Sequence, residues 1–313
     1  MGSSHETISL YGLRLPEVKP GDSIAELIIK AANEQGVGIE DLDVIAVTSK
    51  IISKSMGLLY KLSEVKPSRK AIKLAKLLKW DPRIVQIVIN ESDDILFAIP
   101  FKKLIDKKLI DIRRLASDPK KAYEALKTYP SLFITIRDSQ IWSDSGLDFS
   151  NHPQGICSIP PRNLDDIAKS LSRELLEKTG KKVSVVICDT ELFFFGSLDV
   201  ARGSYGIPPI SKSFGELDRY GKPKFGGVDN IVHEICCASA LLMRQCAEGI
   251  PVVIIRGLEY EWCGEGVSSY RLNPHNLKLI IREILKTTLR TVSYTHLRAH
   301  ETSLHLVCRL LLE

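Results

Sequence analysis

DVIAVTSKIISKSMG, residues 43–57, decides how the chain is organised. Its apolar run over 44–48 reads as a buried strand, ending in small polar and basic residues. Two later stretches share that character: KKVSVVICDT (181–190) and IPVVIIRG (250–257). Helical patterns lie between and around them. LPEVKPGDSIAELIIKAANEQG (15–36) gives an extended lead-in, a Pro-Gly turn and a helix from about Ser23. SRKAIKLAKLLK (68–79) and DPRIVQIVINES (81–92) are short helices, the second capped by Asp81 with Pro82 at its first helical position. SLFITIRDSQIWSDSG (131–146) reads as a hairpin turning at Arg137, Asp138 and Ser139. Helices are expected over 165–178, ended by Gly180, over 229–246 and over 276–289. Strands and helices mix without regular alternation, which favours an α+β fold of mixed sheets with packed helices over a doubly wound sheet. No internal repeat is present.

At 313 residues the chain can hold a sizeable core, and 44% hydrophobic with 26% charged residues fits a soluble globular protein. The net charge of +5 is spread over many lysines, too mild for nucleic acid and compatible with a small anionic substrate. No apolar run is long enough to span a bilayer and no signal peptide is visible, so a reducing cytoplasm is the expected location. Seven cysteines without repeated C-x-x-C spacing argue against a disulfide framework and a zinc site; Cys188, Cys236 and Cys237 are expected to pack as small hydrophobes. Residues from about 100 to 130 are rich in lysine and read as a helical insertion with a solvated face. The last stretch, VSYTHLRAHETSLHLVCRLLLE (292–313), looks like the in-frame translation of a sequencing adapter, or is an amphipathic tail. Its two arginines and two glutamates cancel, so the body keeps the charge of +5. The domain is therefore expected over 1–290, with 291–313 non-native.

Carboxylates follow predicted strands in two places. SDSGLDFSN (143–151) carries Asp144 and Asp148, and the second buried strand ends in Asp189 and Thr190. Carboxylates fixed at strand ends can share a hard divalent cation with a hydroxyl and phosphate oxygens. Asp and Ser equally make turns by bonding their own backbone. Gly146 would let the backbone approach a ligand closely. TSKIISKS (48–55) offers two lysines and four hydroxyls after a strand, a composition that can hold phosphate, although it is not a P-loop. His233 and Glu234 read as a surface pair, since H-E-x-x-H is absent. The triple Phe193–Phe195 reads as core or pocket wall. GLEYEWCGEG (257–266) reads as a loop over a site, with Glu265 its most interesting residue.

Taken in order along most of 8–290, these pieces resemble the coenzyme F420-0: L-glutamate ligases. DVIAVTSKIISKSMG is similar to that family's Ser-Lys strand-loop, SGLDFSN to its A-G-(I/V)-D-x-S-N motif, and GKKVSVVICDT to the segment ending in its Asp-Thr. GELDRYGKP, HEICCASALLM and EGIPVVIIRG follow in family order. The resemblance implies a ligase-like α+β fold of two intertwined subdomains. It implies a cytoplasmic homodimer that joins L-glutamate to the lactyl-phosphate end of a deazaflavin coenzyme, using GTP with Mg2+ or Mn2+, and with K+ as a further candidate cation. Carried over by position, Asp148, Asp189 and Thr190 would bind metal. Leu15, Pro16, Ser49, Lys54 and Asn151 would contact the nucleotide.

The chain also departs from the pattern. ELFFFGS (191–197) stands where the family usually has Gly-Arg and further arginines. Asp144 occupies a usual Asn position, Met56 a usual Glu, and His233 a usual Asp. Arg244 and Gln245 interrupt the family's glycine-containing nucleotide loop. A paralogue acting on another carboxylate, a non-catalytic binding protein of the same fold, and a kinase-like phosphotransferase are the alternatives.

Overall fold

All three apolar runs become neighbours in one five-stranded sheet. The computed structural model describes residues 7–193, 196–246 and 248–271, with scattered positions from 273 to 291. In chain order its elements are β1 (Ser9–Leu13), α1 (Ile24–Glu34), β2 (Val44–Thr48), α2 (Ser49–Ser55), β3 (Leu59–Lys61), α3 (Arg69–Leu78), α4 (Pro82–Glu91) and β4 (Asp94–Ile99). Then come α5 (Phe101–Asp106), α6 (Pro119–Thr128), β5 (Leu132–Arg137), β6 (Gln140–Ser143), β7 (Ile156–Ser158), α7 (Leu164–Thr179), β8 (Ser184–Phe193), β9 (Gly196–Tyr205), α8 (Ile231–Met243) and β10 (Val252–Arg256). The main sheet runs β1-β10-β2-β8-β9, with β2 and β8 parallel and the other pairs antiparallel.

This sheet is covered on both faces, which is why its central strands read as unbroken apolar runs. Side chains alternate across a strand. Ile45, Val47, Val185, Ile187 and Ile254 face a core closed by α1 and α7. Val44, Ala46, Val186, Val253 and Ile255 face a second core closed by α8. Local signals set the helix ends as expected. Ser23, Ser68 and Asp81 side chains accept backbone N–H bonds at the starts of α1, α3 and α4, and Gly180 ends α7 at φ +70°.

A second, three-stranded sheet, β4-β5-β6, carries the expected hairpin, whose turn places Asp138 and Ser139 at positive φ. It packs with α3 and α4 around Trp80, Val85 and Phe133. β3 pairs with β7 in a two-stranded ladder. The lysine-rich segment is helical, with a small core of Ile105, Ile112 and Leu126, and Lys103, Lys107, Lys108, Lys120, Lys121 and Lys127 are exposed. The architecture is α+β, as expected.

Several expectations need correcting. The strand through Asp189 does not stop at Thr190. It runs to Phe193 and pairs with β9, a strand not foreseen, with a register shift at Ile187/Cys188. Within ELFFFGS, residues 191–193 and 196–197 are therefore paired strand residues. Phe194 and Phe195 lie outside the described residues. Cys188 and Cys236 do not merely pack: they form a disulfide that ties β8 to α8, with Cα atoms 5.5 Å apart. His233 is no surface pair with Glu234, because its ring is partly buried and Nδ1 accepts the Ala201 N–H at 3.1 Å. By its internal contacts the chain forms two compact units, Met1–Tyr270 and Arg271–Glu313. The helix expected over 276–289 lies partly outside the described residues, as does the whole segment 292–313. No helix among the described residues is long and apolar enough to cross a membrane.

Candidate functional site

Parallel pairing of β2 with β8 sets Thr48 opposite Cys188, so Ser49, just past the end of β2, comes beside Asp189, where β8 runs on paired with β9 alone. β10 runs the other way and opens there, since Val252 pairs with Val47. β1 ends beside it, and the Leu15 N–H donates to the Gly249 carbonyl at 3.2 Å. One edge of the main sheet thus gathers Leu15, Pro16, Ser49 and Asp189 from distant parts of the sequence.

The loop after the hairpin completes the site. Glu191, two residues beyond Asp189, accepts the Ser143 N–H at 3.0 Å and the Ser143 hydroxyl, and pairs with Arg202 on β9. Arg202 in turn lies flat against Trp142, 3.7 Å from the ring centre. These bonds fasten the end of β6 onto the β8–β9 floor. Asp148 is then fixed by a two-way backbone bridge with Ser158, at 3.0 and 2.9 Å. The result is a cavity of about 520 Å³ whose lining includes Leu15, Pro16, Ser49, Lys54, Asp148, Asn151, Asp189 and Thr190.

Charge in the cavity is paired. Lys50 contacts Asp148 Oδ2 at 3.0 Å, while Asp148 Oδ1 accepts the Ser150 N–H at 2.7 Å. Asp148 therefore both makes the turn and pairs with the Lys50 ammonium. Lys54 is buried, bridging Glu17 at 2.5 Å and the Asn151 carbonyl at 2.8 Å. Asn151, at φ +56°, donates its side-chain amide to the Cys246 carbonyl at 3.1 Å. Asp189 Oδ2 accepts the Ser49 hydroxyl at 2.7 Å. Burial raises the Asp189 carboxyl to about 6, with Arg202 and the Ser49 bond opposing and the charges of Asp148 and Glu191 adding to the rise. Burial also raises Asp144 to about 7, although its Oδ1 accepts the Phe133 N–H at 2.7 Å.

Asp199 and Gln245 were missed as parts of this site. In the β8–β9 ladder Thr190 sits opposite Asp199, and its hydroxyl donates to Asp199 Oδ1 at 2.7 Å. Gln245, which the sequence presented as an obstruction, donates to the same oxygen at 3.1 Å. Its exposed neighbour Arg244 lines the same cavity. The only available signal was LDVARG within 198–203, a carboxylate and an arginine buried on a strand.

Two other expectations move. Gly146 does line the cavity, but its conformational freedom serves packing: at φ +80°, an added Cβ would lie 2.7 Å from the Trp142 ring. Glu265 is not over the cavity. It pairs with Lys212 at 3.4 Å and Tyr270 at 2.6 Å, on a loop joined to Gly206 at the opposite end of β8.

Among the described residues no group of three or more His, Cys, Asp or Glu side chains forms a ready metal cage. The donors at hand are all oxygens: Asp148, Asp189 and the Thr190 hydroxyl. That set suits Mg2+ or Mn2+, and Mg2+ commonly needs only one or two carboxylates when phosphate oxygens complete its shell. The raised Asp189 carboxyl fits as well, because a neighbouring cation would favour its ionised form.

Carboxylates, hydroxyls and lysines thus meet in one cavity at the main sheet, a combination suited to a charged small molecule. The profile of the family described as F420-0:gamma-glutamyl ligase matches residues 12–257. Relatives named coenzyme F420:L-glutamate ligase include that of Methanothermobacter thermautotrophicus, 33% identical over 82% of this chain and 90% of its own length. Those of Archaeoglobus fulgidus and Methanosarcina mazei are 31% and 29% identical, over 88% and 85% of this chain and 96% and 92% of theirs. The chain belongs to the F420-0:gamma-glutamyl ligase family, a family of amide-forming ligases.

Proposed function

We propose that this chain joins the amine of L-glutamate to the carboxylate of coenzyme F420-0, with GTP as the activating nucleotide. An amide does not form spontaneously from a carboxylate in water, so the acid must first become an acyl phosphate. The coenzyme's carboxylate oxygen attacks the γ-phosphorus of GTP and GDP leaves. The glutamate nitrogen then attacks the acyl carbon, loses a proton, and inorganic phosphate departs. Phosphoryl transfer of this kind rests on positioning and charge neutralisation.

The observation that carries this reading is the convergence of Asp148, Asp189, Lys50 and Lys54 on one cavity in a member of this family. Lys54, held by Glu17 and Asn151, and the exposed Arg244 supply positive charge for a triphosphate. Leu15 and Pro16 supply an apolar edge beside Lys54 and Asn151, suited to the nucleotide's base. Asp148, Asp189 and Thr190 would hold Mg2+ or Mn2+, which when bound offsets charge on the phosphate oxygens. Asp199 takes the Thr190 proton and the Gln245 amide donates to the same hydroxyl at 3.2 Å, which leaves one lone pair for the cavity.

A second reading, a paralogue for another carboxylate, is favoured by the end of β8, where Glu191, Leu192 and Phe193 stand in place of basic residues. Supplying GTP, Mg2+ or Mn2+, glutamate and the coenzyme, then reading product mass, decides between them. A gain of one or more glutamate residues on the coenzyme supports the proposal. GTP turnover only with a different acid selects the paralogue, and GTP binding without any turnover selects a non-catalytic protein.

A further inference from the structure

A second cavity, of about 380 Å³, adjoins the first. Both are lined by Leu132, Asp144, Leu147 and Ser150, so only a thin wall of shared side chains separates them. The first carries charged and hydroxyl side chains among apolar ones, and the second is mainly aromatic and aliphatic. Trp80, Ile84, Phe101, Tyr129, Phe149 and Leu192 line it. Tyr129 and Phe149 stand with ring centres 5.3 Å apart, and Trp80 stacks one face on Phe133 at 5.6 Å. Phe101 opens α5 and Tyr129 follows the end of α6, so the two ends of the lysine-rich segment both contribute to this wall.

Trp80 adds an independent observation. The residue is 7% exposed and its Nε1–H has no hydrogen-bond partner among the described residues. A buried donor left without an acceptor costs free energy, and buried indole N–H groups usually find a partner. On a ring that lines a cavity, such a donor points to a ligand carrying an acceptor. Aromatic walls favour a flat π-system.

We propose that this second cavity binds the planar heteroaromatic ring of the carboxylate substrate, with the Trp80 indole N–H donating to an acceptor on the ring's edge. The substrate's acid-bearing arm then crosses the shared wall at Leu132, Leu147 and Ser150 to reach Asp148 and Asp189. The ring's identity as a deazaflavin rests on the ligase reading above; the ring site itself does not. The lysine-rich segment gains a role as the outer wall of the ring site, its charges turned to solvent.

The test titrates a deazaflavin fragment lacking the phospholactyl end into the full chain, following ring fluorescence, with GTP binding measured in parallel by calorimetry. Wild type binds the fragment saturably. Tyr129→Ala, at a position 38% exposed, weakens it about tenfold through loss of one aromatic wall. Trp80→Phe, which keeps the ring but removes the donor, weakens it about fivefold. GTP affinity stays within about twofold in both variants, which also shows that they are folded. Equal affinity of all three proteins for the fragment overturns the ring site. So does a wild type that binds GTP and not the fragment. A wild type that binds the fragment as described but adds no glutamate to the coenzyme upholds the ring site and ends the ligase reading instead.

Discussion

The two adjoining cavities are built on opposite plans. The polar one sits where the main sheet ends, and its groups are fixed by register: Ser49 and Asp189 by the β2–β8 pairing, Thr190 and Asp199 by the β8–β9 pairing. The aromatic one lies against the second sheet and is assembled from ends of helices and loops, by Trp80, Phe101, Tyr129 and Phe149. Strand register holds charged groups to fractions of an ångström, which phosphoryl transfer requires. A ring site needs shape and apolar surface more than exact placement. The contrast predicts that substitutions in the first cavity act on the chemical step and the nucleotide, and those in the second act on affinity for the acceptor.

The largest effect should come from the carboxylates. Asp148→Ala or Asp189→Ala should lower kcat for glutamate addition by about a hundredfold to a thousandfold or more, because several kcal/mol of charge stabilisation go with a metal ligand. Affinity for the ring fragment should not change. Full activity in Asp189→Ala, read by product mass, would remove the polar cavity from the reaction altogether. Next is Lys54→Met. Lys54 is buried between Glu17 and the Asn151 carbonyl, and its loss should weaken GTP binding about tenfold to a hundredfold, as expected for a charge-assisted bond. Calorimetry with GTP reads this directly. An unchanged Kd would mean that Lys54 only braces the Asn151 loop.

How much of this was legible follows the same division. The strands 44–48, 184–190 and 252–256 were readable because burial on both faces leaves an unbroken apolar run. Asp148 was readable because it follows a strand within a short polar stretch, and Asp189 because it closes the apolar run of β8, although the strand itself continues to Phe193. β9 was not, because GSLDVARGSY buries Asp199 and Arg202 and so has the polar composition of a loop. Their partners are contributed by ladder pairing and by Gln245, none of which is a local signal. For the same reason Gln245 looked like an obstruction. The disulfide escaped notice because Cys188 and Cys236 are separated by 48 residues and embedded in apolar sequence. The aromatic cavity left no trace in the sequence, since its rings come from separate stretches with no common spacing.

Asp144 stands on the wall between the two cavities and offers a smaller, pH-dependent test. Burial raises its folded carboxyl from 3.8 to about 7, with the charge of Glu191 adding to the rise. Between about pH 4 and pH 7 the folded chain holds a proton that the unfolded chain has released. Stability therefore falls as pH rises through that window and is lowest above it. Asp144→Asn cannot ionise and keeps an oxygen for the Phe133 N–H. It should stabilise the protein by about 1–3 kcal/mol at pH 8, with the gain vanishing near pH 4. Urea melts at the two pH values check the sign, and a gain that is equal at both would show that the carboxyl does not titrate between them.

The smallest effect belongs to Glu265, which sequence alone made the most interesting residue of its loop. Its loop joins the sheet at Gly206, and Gly206 follows Tyr205, which pairs with Val185 near the start of β8. Asp189 is four residues further along that strand, at about 3.3 Å per residue, so the loop and the polar cavity lie toward opposite ends of it. Glu265 is exposed, and the hydrogen bond from Tyr270 and then Lys212 hold its carboxyl below the usual range. Exposed pairs of this kind contribute little. Glu265→Gln should leave kcat, GTP affinity and ring affinity within about twofold of wild type. A tenfold loss in any of the three would mean that the far end of the sheet reports to the cavities, and that strand register alone does not set the site.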